Sequence, residues 1–449
     1  MADIAVVGAG YVGLVTGACF AHLGHRVTCL DIDRHKVESL NRGELPIYEP
    51  GLESLVRESL AQGRLAFTLD PETAIPRSEF IFVAVQTPSA SNGQADLVAL
   101  LSAVSTLAPL VRKRAVIIQK STVPIGTAGF VEELVTRRRN GSSPHVVANP
   151  EFLREGSAVS DFLQPDRIVV GAKDRAAAER VAGLYDYADC PIIVTDPNTA
   201  EMIKYASNSF LAAKISFMNE IAQLCDAFGA DVREVAQGMG HDARIGSEFL
   251  GAGLGWGGSC FPKDVKALVH MAKAVSVSPR LLEAVQKVNS NQRRVAVAKL
   301  ESMLGSLDGA VIGLLGLAFK AGTDDLRSAP SLPLAEALVE RGASVRGYDP
   351  VAMEAAARIA PEIDCYDSPE ELADGADALV LVTEWPEFRE LDMAEIKRRM
   401  RRPVILDGRN FLDGDYLEDI GFVYLGFGAG SNNGKVTPIS AIAALGKTA

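Results

Sequence analysis

The stretch "IAVVGAGYVG", Ile4 to Gly13, decides the N-terminal fold, because a short apolar β-branched run leads directly into three spaced glycines and a helical pattern. The next β-rich run ends in "LDID", and its Asp31 lies eighteen residues beyond Gly13. In this strand–turn–helix context the glycines allow a tight turn and close approach of backbone N–H groups to a pyrophosphate, while the acidic residue accepts from ribose hydroxyls. A glycine turn without a ligand is the alternative, and the spacing favours a dinucleotide site.

The charge of Asp31 predicts which dinucleotide binds. A carboxylate at this position repels the 2′-phosphate of NADP, whereas it can accept hydrogen bonds from the unmodified ribose of NAD. The predicted cofactor is therefore NAD.

The alternation of short apolar runs with helical patterns predicts the rest of the architecture. The runs "IAVVGA", "VTCLDID", "EFIFVAV", "AVIIQKST", "HVVANPE", "RIVVGA" and "PIIVTD" predict a parallel, doubly wound sheet. A long helical pattern then extends from Asn198 to Phe228, with an Asn/Thr cap at its start and Gly229 after its end, and a second covers Pro279 to Leu304. The β/α rhythm returns in "GAVIGLLGLAF", "ASVRGYD", "DALVLVT", "RPVILDGRN" and "GFVYLG".

These segments predict an α/β protein with two Rossmann-like, doubly wound parallel-sheet lobes, joined by a helical central segment that contains a long helix. The predicted domains are residues 1–197, an NAD-binding Rossmann-like domain, residues 198–305, a central helical domain, and residues 306–449, a second Rossmann-like domain.

Composition excludes several classes of function. The 449 residues hold 45 Lys and Arg against 57 Asp and Glu, a net charge of −12, so we expect no nucleic-acid partner. The N-terminus enters the glycine motif before a signal-peptide core could form, and no apolar run could span a bilayer, so we expect a cytoplasmic protein without a membrane partner. Six cysteines without C-x-x-C spacing, and His22 and His25 without further ligands nearby, predict neither a disulfide framework nor a metal site.

A second stretch, "GLGWGGSCFPKD" from Gly253 to Asp264, places one thiol on a glycine-rich loop. A single cysteine is most often a small buried hydrophobe. Here the glycines leave the backbone accessible, and Pro262 suits the first turn of a helix, which places Cys260 near a helix N-terminus that favours the thiolate. The loop therefore predicts a reactive thiol close to the cation of Lys263 and the carboxylate of Asp264.

The long predicted helix has two faces of interest. Lys204 and Asn208 lie four residues apart, so their side chains project from one face, and a solvated surface is the usual meaning of such a pair. The apolar positions of "FLAAKISFMNEIAQLCDAF" exceed what one core-facing stripe needs, which predicts a homodimer or a higher homo-oligomer. Burial within the core of a single chain is the alternative.

Five motifs together resemble the UDP-glucose 6-dehydrogenase family, within the UDP-glucose/GDP-mannose dehydrogenases: "GAGYVG", "STVPIGT", "NPEFLREGSAVSDF", "GLGWGGSCFPKD" and "FKAGTDDLR". Their order and spacing are similar from about residue 1 to about residue 430. The resemblance implies a four-electron oxidation of UDP-glucose to UDP-glucuronate that yields two NADH per sugar through a cysteine thiohemiacetal and thioester. It also implies that the central domain holds the catalytic cysteine loop and that the C-terminal domain binds the UDP-sugar.

The resemblance further implies roles for single residues. The implied catalytic residues are Cys260 as nucleophile, Lys204 and Asn208 as donors to the oxyanion, Asp264 and Thr122 for positioning water or relaying protons, and Glu151 as acid/base in the thioester step. The implied cofactor-binding residues are Gly8, Gly10, Tyr11, Val12, Gly13, Asp31, Lys36, Thr87, Thr122, Glu155, Lys263 and Arg327. The implied substrate-binding residues are Glu151, Phe152, Leu153, Arg154, Glu155, Lys204, Asn208, Arg244, Phe249, Leu250, Gly251, Ala252, Gly253, Gly257, Lys320 and Arg409, the last from a neighbouring subunit.

The chemistry of these residue types agrees with the implied roles. A thiolate captures an aldehyde and leaves a thiohemiacetal that can lose a second hydride, whereas a serine would be a weaker nucleophile at neutral pH. An ammonium and an amide are the donors that a developing oxyanion needs. One departure concerns the turn at Lys320, because Ala321 stands where many relatives have proline and makes the turn less rigid.

Three alternative functions stay open. A sister enzyme acting on GDP-mannose or a UDP-N-acetylhexosamine would share NAD, the thiol and the Lys/Asn pair, although "GGSCFPKD" and the spacing around Arg244 favour UDP-glucose. A catalytically idle NAD-binding regulatory protein should lack Cys260, Lys204 or Asn208, and all three are present. A two-electron dehydrogenase of the 6-phosphogluconate type would share the lobe and long helix but needs no thiol.

Overall fold

The computed structural model describes residues 1–139 and 144–429. This part of the chain divides into two compact units, Met1–Ser207 with Lys266–Val277, and Asn208–Val265 with the described residues from Ser278 on. Two helices, Pro197–Phe228 and Phe261–Ala274, contribute residues to both units. None of the described helices combines the length and the apolar character that a membrane-spanning segment needs.

The first unit is a sheet whose strands alternate with helices along the chain. Its strands are β1 (Asp3–Val7), β2 (Arg26–Leu30), β3 (Leu65–Thr68), β4 (Phe80–Val83), β5 (Val116–Gln119), β6 (His145–Ala148), β7 (Ile168–Ala172) and β8 (Ile192–Thr195). Its helices are α1 (Tyr11–His22), α2 (Arg34–Asn41), α3 (Leu52–Ala61), α4 (Pro71–Ala74), α5 (Val98–Leu107), α6 (Thr127–Arg138), α7 (Ala158–Leu163) and α8 (Arg175–Ala182), with 3₁₀ turns at Ala108–Leu110 and Gly183–Tyr185, and the long helix α9 (Pro197–Phe228) begins in it.

The strands of the first unit follow the order β3-β2-β1-β4-β5-β6-β7-β8 in the described residues. Pairing is parallel from β3 through β6, and β1 lies between β2 and β4. The strand order therefore reverses beside β1, and ligands bind at the carboxyl ends of strands at such a switch point. The glycine motif begins at this carboxyl end.

One pairing in this sheet differs from the predicted parallel arrangement. β6 and β7 pair antiparallel, and β8 then pairs parallel to β7. An antiparallel return needs no crossover to the opposite edge of the sheet. The connection of residues 149–167 therefore stays at the carboxyl edge, where it can contribute to a site.

The second unit contains a fully parallel sheet in the order β11-β10-β9-β12-β13-β14 within the described residues. Its strands are β9 (Val311–Leu315), β10 (Ser344–Tyr348), β11 (Ile363–Cys365), β12 (Ala378–Leu381), β13 (Val404–Asp407) and β14 (Val423–Leu425). The helices that follow α9 along the chain are α10 (Val232–Gly240), α11 (Phe261–Ala274), α12 (Arg280–Leu304), α13 (Ser331–Val339), α14 (Met353–Ile359), α15 (Pro369–Ala373), α16 (Met393–Arg399) and α17 (Gly414–Asp419), with a 3₁₀ turn at Pro386–Arg389.

Each sheet is buried on both faces, which explains why its central strands are almost continuously apolar. In β4 and β5, alternate side chains enter two separate cores. Phe80, Phe82, Val116 and Ile118 pack on one face, whereas Ile81, Val83 and Ile117 pack on the other.

The predicted two-lobed α/β fold with a long central helix is confirmed. The helices α9 and α12 begin within one residue of their predicted starts and end at the predicted residues. Two strands were missed, β3 and β11, and both are short edge strands. An edge strand has one neighbour and needs little apolar sequence, so its signal is weak.

Candidate active site

The glycine motif forms the turn between β1 and α1. Gly8 has a φ of +98°, and a Cβ at this position would lie 2.7 Å from the carbonyl oxygen of Ala84, so glycine is required. Gly10 precedes α1 without a side-chain cap, and no heavy atom lies within 4 Å of its Cβ position. An open backbone at a helix N-terminus binds phosphate groups. The motif therefore fits the pyrophosphate of NAD.

Asp31 lies directly after β2 and holds the glycine turn. Its carboxylate accepts hydrogen bonds from the N–H of Ala9 at 2.8 Å and of Asp33 at 3.0 Å. Lys36 Nζ lies 3.3 Å from the same carboxylate. The sequence predicted Asp31 as an acceptor for ribose hydroxyls; its hydrogen bond to the glycine turn and the adjacent charge of Lys36 were not predicted.

Lys204 and Glu151 form an ion pair inside the first unit. Lys204 Nζ lies 2.9 Å from Glu151 Oε1, and the two side chains are 3% and 6% exposed, so Lys204 does not belong to a solvated helix face. Glu151 also accepts from the N–H of Leu153 at 2.6 Å. Burial acts to raise the pKa of Glu151, but the charge and hydrogen bond of Lys204 outweigh burial and hold this pKa below its usual value.

A second buried ammonium, Lys120, was missed by sequence reasoning. It directly follows β5, and its Nζ donates to Asn149 Oδ1 at 3.1 Å and to Tyr185 Oη at 3.3 Å. Burial lowers the pKa of Lys120 to about 8, an effect that Glu151 opposes and Lys204 reinforces. A lysine directly after the buried run "VIIQ" was the available signal, because ligands bind at the carboxyl ends of the strands in such sheets.

A pocket of the first unit lies at the carboxyl ends of β5 and β6 beside α9. Thr122 is part of its wall, and the Thr122 carbonyl accepts from Thr87 Oγ1 at 2.8 Å. Gln119 is buried here, and its amide has no hydrogen-bond partner among the described residues. The wall consists of Gln119, Ser121, Thr122, Val123, Ala148, Pro150, Glu201 and Lys204.

Glu201 closes one side of this pocket and was also missed. Its carboxylate accepts from the N–H of Gly126 at 2.6 Å and of Ala128 at 2.9 Å, at the start of α6. Burial raises the pKa of Glu201 to about 7, although these hydrogen bonds oppose the rise. The charge of this wall can therefore change near neutral pH.

Cys260 lies at the start of α11 in the second unit, as the sequence predicted. The Cys260 carbonyl accepts from the N–H of Asp264 at 2.9 Å, and α11 begins at Phe261. Asp264 is 1% exposed, and its carboxylate accepts from Asn208 Nδ2 at 2.6 Å and Lys263 Nζ at 2.5 Å. Asn208, Lys263 and Asp264 thus form one hydrogen-bonded group, and the backbone of Asp264 lies one helical turn after Cys260.

Side-chain amides from two helices hold the glycine loop before Cys260. Asn219 of α9 accepts from the N–H of Gly253 at 2.8 Å, and Gln292 of α12 donates to the Gly253 carbonyl at 2.6 Å. Asn289 of α12 accepts from the N–H of Trp256 at 2.8 Å and donates to the Trp256 carbonyl at 2.9 Å. None of the three amides was predicted, because no local spacing relates them to the loop.

Arg409 also contacts this loop from within its own chain. Its guanidinium donates to the carbonyl of Gly255 at 3.0 Å and of Phe319 at 3.2 Å, and it pairs with Glu384 at 3.2 Å. Its predicted contact with a substrate in a neighbouring subunit stays a prediction.

Other predicted residues lie at the surface or in turns. The Arg244 side chain is 89% exposed and pairs with Asp242, and Arg327 pairs with Asp325. Phe249 has a positive φ of 63° in the segment before the glycine loop. Their predicted roles stay predictions.

Comparison with known proteins identifies three consecutive regions. All three match domains of the UDP-glucose/GDP-mannose dehydrogenase family. Residues 2–189 match its NAD binding domain, residues 198–291 its central domain and residues 313–414 its UDP binding domain. A UDP-glucose 6-dehydrogenase from Pseudomonas aeruginosa is 46% identical over 443 residues, which cover 95% of this chain and 97% of that protein.

Two solved dehydrogenase structures are also similar to this chain. A UDP-glucose dehydrogenase from the hyperthermophilic archaeon Pyrobaculum islandicum is similar with a TM-score of 0.89 and 41% identity, over 96% of this chain and 98% of that one. A UDP-D-ManNAc dehydrogenase from Pyrococcus horikoshii is similar with a TM-score of 0.85 and 30% identity, over 95% and 99% of the two chains.

Proposed function

The chain belongs to the UDP-glucose/GDP-mannose dehydrogenase family, and we propose that this NAD-dependent dehydrogenase oxidises UDP-glucose to UDP-glucuronate through a covalent adduct on Cys260. One observation best supports the mechanism. Cys260 directly precedes a helix whose buried Asp264 accepts a hydrogen bond from Asn208.

The proposed reaction has four stages. The C6 alcohol loses a hydride and a proton and becomes an aldehyde. The Cys260 thiolate then forms a C–S bond to C6, and the carbonyl oxygen takes up a proton to give a thiohemiacetal. Loss of a second hydride and of that proton gives a thioester. Water attacks the thioester carbonyl, the C–S bond breaks, and UDP-glucuronate leaves with regeneration of the thiolate.

The other catalytic residues that the resemblance implies have complementary proposed roles. Lys204 and Asn208 donate to the oxygen that gains charge when the thiol adds. Asp264 and Thr122 position water or relay protons, and Glu151 is the acid/base of the thioester step, because its ionised carboxylate can accept a proton from water. Lys204 lies 2.9 Å from the Glu151 carboxylate, so the proposed oxyanion donor and the proposed acid/base are direct neighbours.

The glycine motif Gly8–Gly13 would hold NAD, which would supply the hydride acceptor for both oxidations, so that two molecules would be consumed per sugar. Asp31 and Lys36 would hold its ribose, and Thr87, Thr122, Glu155, Lys263 and Arg327 are the further proposed contacts. The chain supplies one dinucleotide fingerprint. The sugar therefore stays attached to Cys260 while the cofactor is exchanged.

The substrate assignment distinguishes this proposal from its nearest alternative, the same chemistry on GDP-mannose or a UDP-N-acetylhexosamine. Identity is higher to the named UDP-glucose dehydrogenase structure, 41%, than to the named UDP-D-ManNAc dehydrogenase structure, 30%. The family-model ranges also support the proposed domains, residues 1–197 for NAD, 198–305 for the cysteine loop and 306–449 for the UDP-sugar.

The proposed assembly is a homodimer through α9. Four large apolar side chains of this helix are 49% to 67% exposed. They lie at spacings of seven, seven and four residues, which places them on one face. They are Phe210, Phe217, Leu224 and Phe228.

The test is a panel of nucleotide sugars with NAD, in which NADH formed is counted per sugar consumed. We expect a ratio of two with UDP-glucose and slower turnover with GDP-mannose and UDP-N-acetylhexosamines. Cys260→Ala should form no uronate while binding NAD and UDP-glucose almost normally, because the thiol acts in chemistry more than in ground-state binding. A ratio of one with free aldehyde, or full uronate formation by Cys260→Ala, would overturn the proposal.

Asp264→Asn provides a second test, because it keeps the shape of the side chain but removes a carboxylate that positions water. We expect it to slow release of the acid more than the first oxidation. Intact-protein mass spectrometry after mixing with NAD and UDP-glucose should then detect the mass of the nucleotide sugar on the peptide that contains Cys260.

A further inference from the structure

One buried carboxylate joins three segments of the first unit. Glu49 lies between α2 and α3 and is 6% exposed. Its Oε2 accepts from the N–H of Gly156 at 2.6 Å, and its Oε1 accepts from the N–H of Ala158 at 2.7 Å. The hydroxyl of Tyr11 donates to Oε2 as well. Both oxygens are therefore occupied by donors from other segments.

The two backbone donors belong to the connection that remains at the carboxyl edge of the sheet. Ala158 is the first residue of α7, and Ser157 before it provides no side-chain cap. Glu49 supplies this missing acceptor from a distant part of the chain. Gly156 has a φ of +83°, so the backbone turns sharply between the two bonds. Glu49 thus fixes the turn that directly follows Glu155.

Tyr11 connects the same carboxylate to the glycine motif. It is the first residue of α1, and its hydroxyl also accepts from the N–H of Gly156 at 3.1 Å. Burial raises the pKa of Tyr11, and the hydrogen bond to Glu49 raises it further, so the hydroxyl stays protonated and continues to donate. The turn after Glu155 is therefore hydrogen-bonded both to Glu49 and to the first residue of the cofactor helix.

From these contacts we propose that Glu49 is a positioning residue that couples the glycine motif to the loop of Glu151 and Glu155. Only the effect of this coupling on catalysis rests on the proposed function. The hydrogen bonds hold the loop in one position relative to α1. Binding of NAD at the glycine motif and the placement of the two loop carboxylates therefore change together. Loss of the Glu49 carboxylate releases the loop without removing a group that touches substrate.

Glu49→Gln is the informative variant, because glutamine keeps the size of the side chain but replaces one acceptor oxygen with an NH₂ donor. One of the two buried N–H groups then faces another donor. Hydrogen bonds to charged acceptors are worth more than neutral ones, so we expect amide exchange of the peptide containing residues 153–163 to rise by about tenfold or more. Added NAD should slow this exchange in the unaltered chain and much less in the variant.

Kinetics provide a second readout. We expect kcat to fall by about tenfold or more in Glu49→Gln, with the KM for NAD changed less than about threefold, because orientation is lost and binding is retained. Glu53→Gln is the matched control, since Glu53 is an exposed glutamate of α3 that pairs with Arg57. It should change neither readout. Tyr11→Phe, which removes one hydroxyl only, should give the same pattern with a smaller change.

The outcomes separate this inference from the proposed function. Unchanged loop exchange in both Glu49→Gln and Tyr11→Phe overturns the coupling. A lower melting temperature with unchanged kcat and unchanged NAD-dependent protection also overturns it, because Glu49 would then be structural only. If Glu49→Gln does not fold, Tyr11→Phe decides by the same measurements. Failure of the unaltered chain to oxidise UDP-glucose contradicts the proposed function, while the exchange measurements still decide the coupling.

Discussion

Replacing Lys204 with methionine should destabilise the first unit strongly, because it leaves Glu151 as a buried carboxylate without its ion-pair partner. The two side chains are 3% and 6% exposed and 2.9 Å apart. Removing one partner of a buried pair costs about 3–5 kcal/mol. Glu151 retains the N–H of Leu153 and the nearby charge of Lys120, so we expect a value at the lower end, about 3 kcal/mol.

A double-mutant cycle isolates the pair from the loss of packing. Lys204→Met with Glu151→Gln removes both charges, so its cost should be smaller than the sum of the single costs by about 2 kcal/mol. The difference should depend on pH. The pKa of Glu151 is lowered in the native state, so the pair stabilises the protein above the unfolded pKa and loses this contribution as pH falls. The gap between the unaltered chain and Lys204→Met should therefore narrow below about pH 5.

The assay must report on the first unit. The two tryptophans, Trp256 and Trp385, belong to the second unit, so their fluorescence is unsuitable. Amide exchange of peptides covering β4 and β5 gives the free energy of opening of the first core directly. A destabilisation below about 1 kcal/mol, or costs that simply add in the double variant, would refute the reasoning.

Three further predictions follow from individual contacts. Asp31→Asn should reduce the preference for NAD over NADP by about tenfold or more, measured as the ratio of kcat/KM values, and an unchanged ratio would contradict the role of Asp31. Burial raises the pKa of Glu201 to about 7 from 4.5. Between these two pH values the native state therefore binds more protons than the unfolded state. This group accordingly makes the free energy of unfolding fall as pH rises, by at most about 1.4 kcal/mol per pH unit. Glu201→Gln should lack this component in urea titrations at several pH values, and a component of opposite sign would disprove the assignment. Phe217→Asp should yield a monomer in sedimentation. The control is Phe130→Asp, because Phe130 is about equally exposed but lies outside α9. A dimer in both variants would exclude the α9 face as the dimer interface.

Local patterns in the sequence predicted a large part of this molecule. The glycine turn after β1, the acidic residue after β2 and the helix start after Cys260 each have a signal in a short stretch of sequence, and all three are present. The reversed direction of β7 was not predicted, because strand direction depends on how a connection returns and not on the composition of the strand.

The supporting residues were not predictable in the same way. Glu49 binds Gly156 and Ala158 across more than one hundred residues, and Asn289 and Gln292 bind the glycine loop across more than thirty. Their residue types are common on surfaces, so only the folded arrangement distinguishes them. The resemblance to a family supplied candidate roles for the residues near the chemistry, but it gave no information about the groups that hold those residues in place.

The amides that hold the glycine loop have a consequence for transferring substrate specificity between relatives. A segment this rich in glycine would ordinarily lose much conformational entropy when it closes on a ligand. Here Asn219, Asn289 and Gln292 restrict the backbone before any ligand arrives, so that cost is already met on folding. A chimaera that exchanged only the loop sequence would keep its glycines but depend on helices outside the exchanged segment for its preorganisation. The smallest exchangeable module is therefore the loop together with the helix faces that contain these three amides.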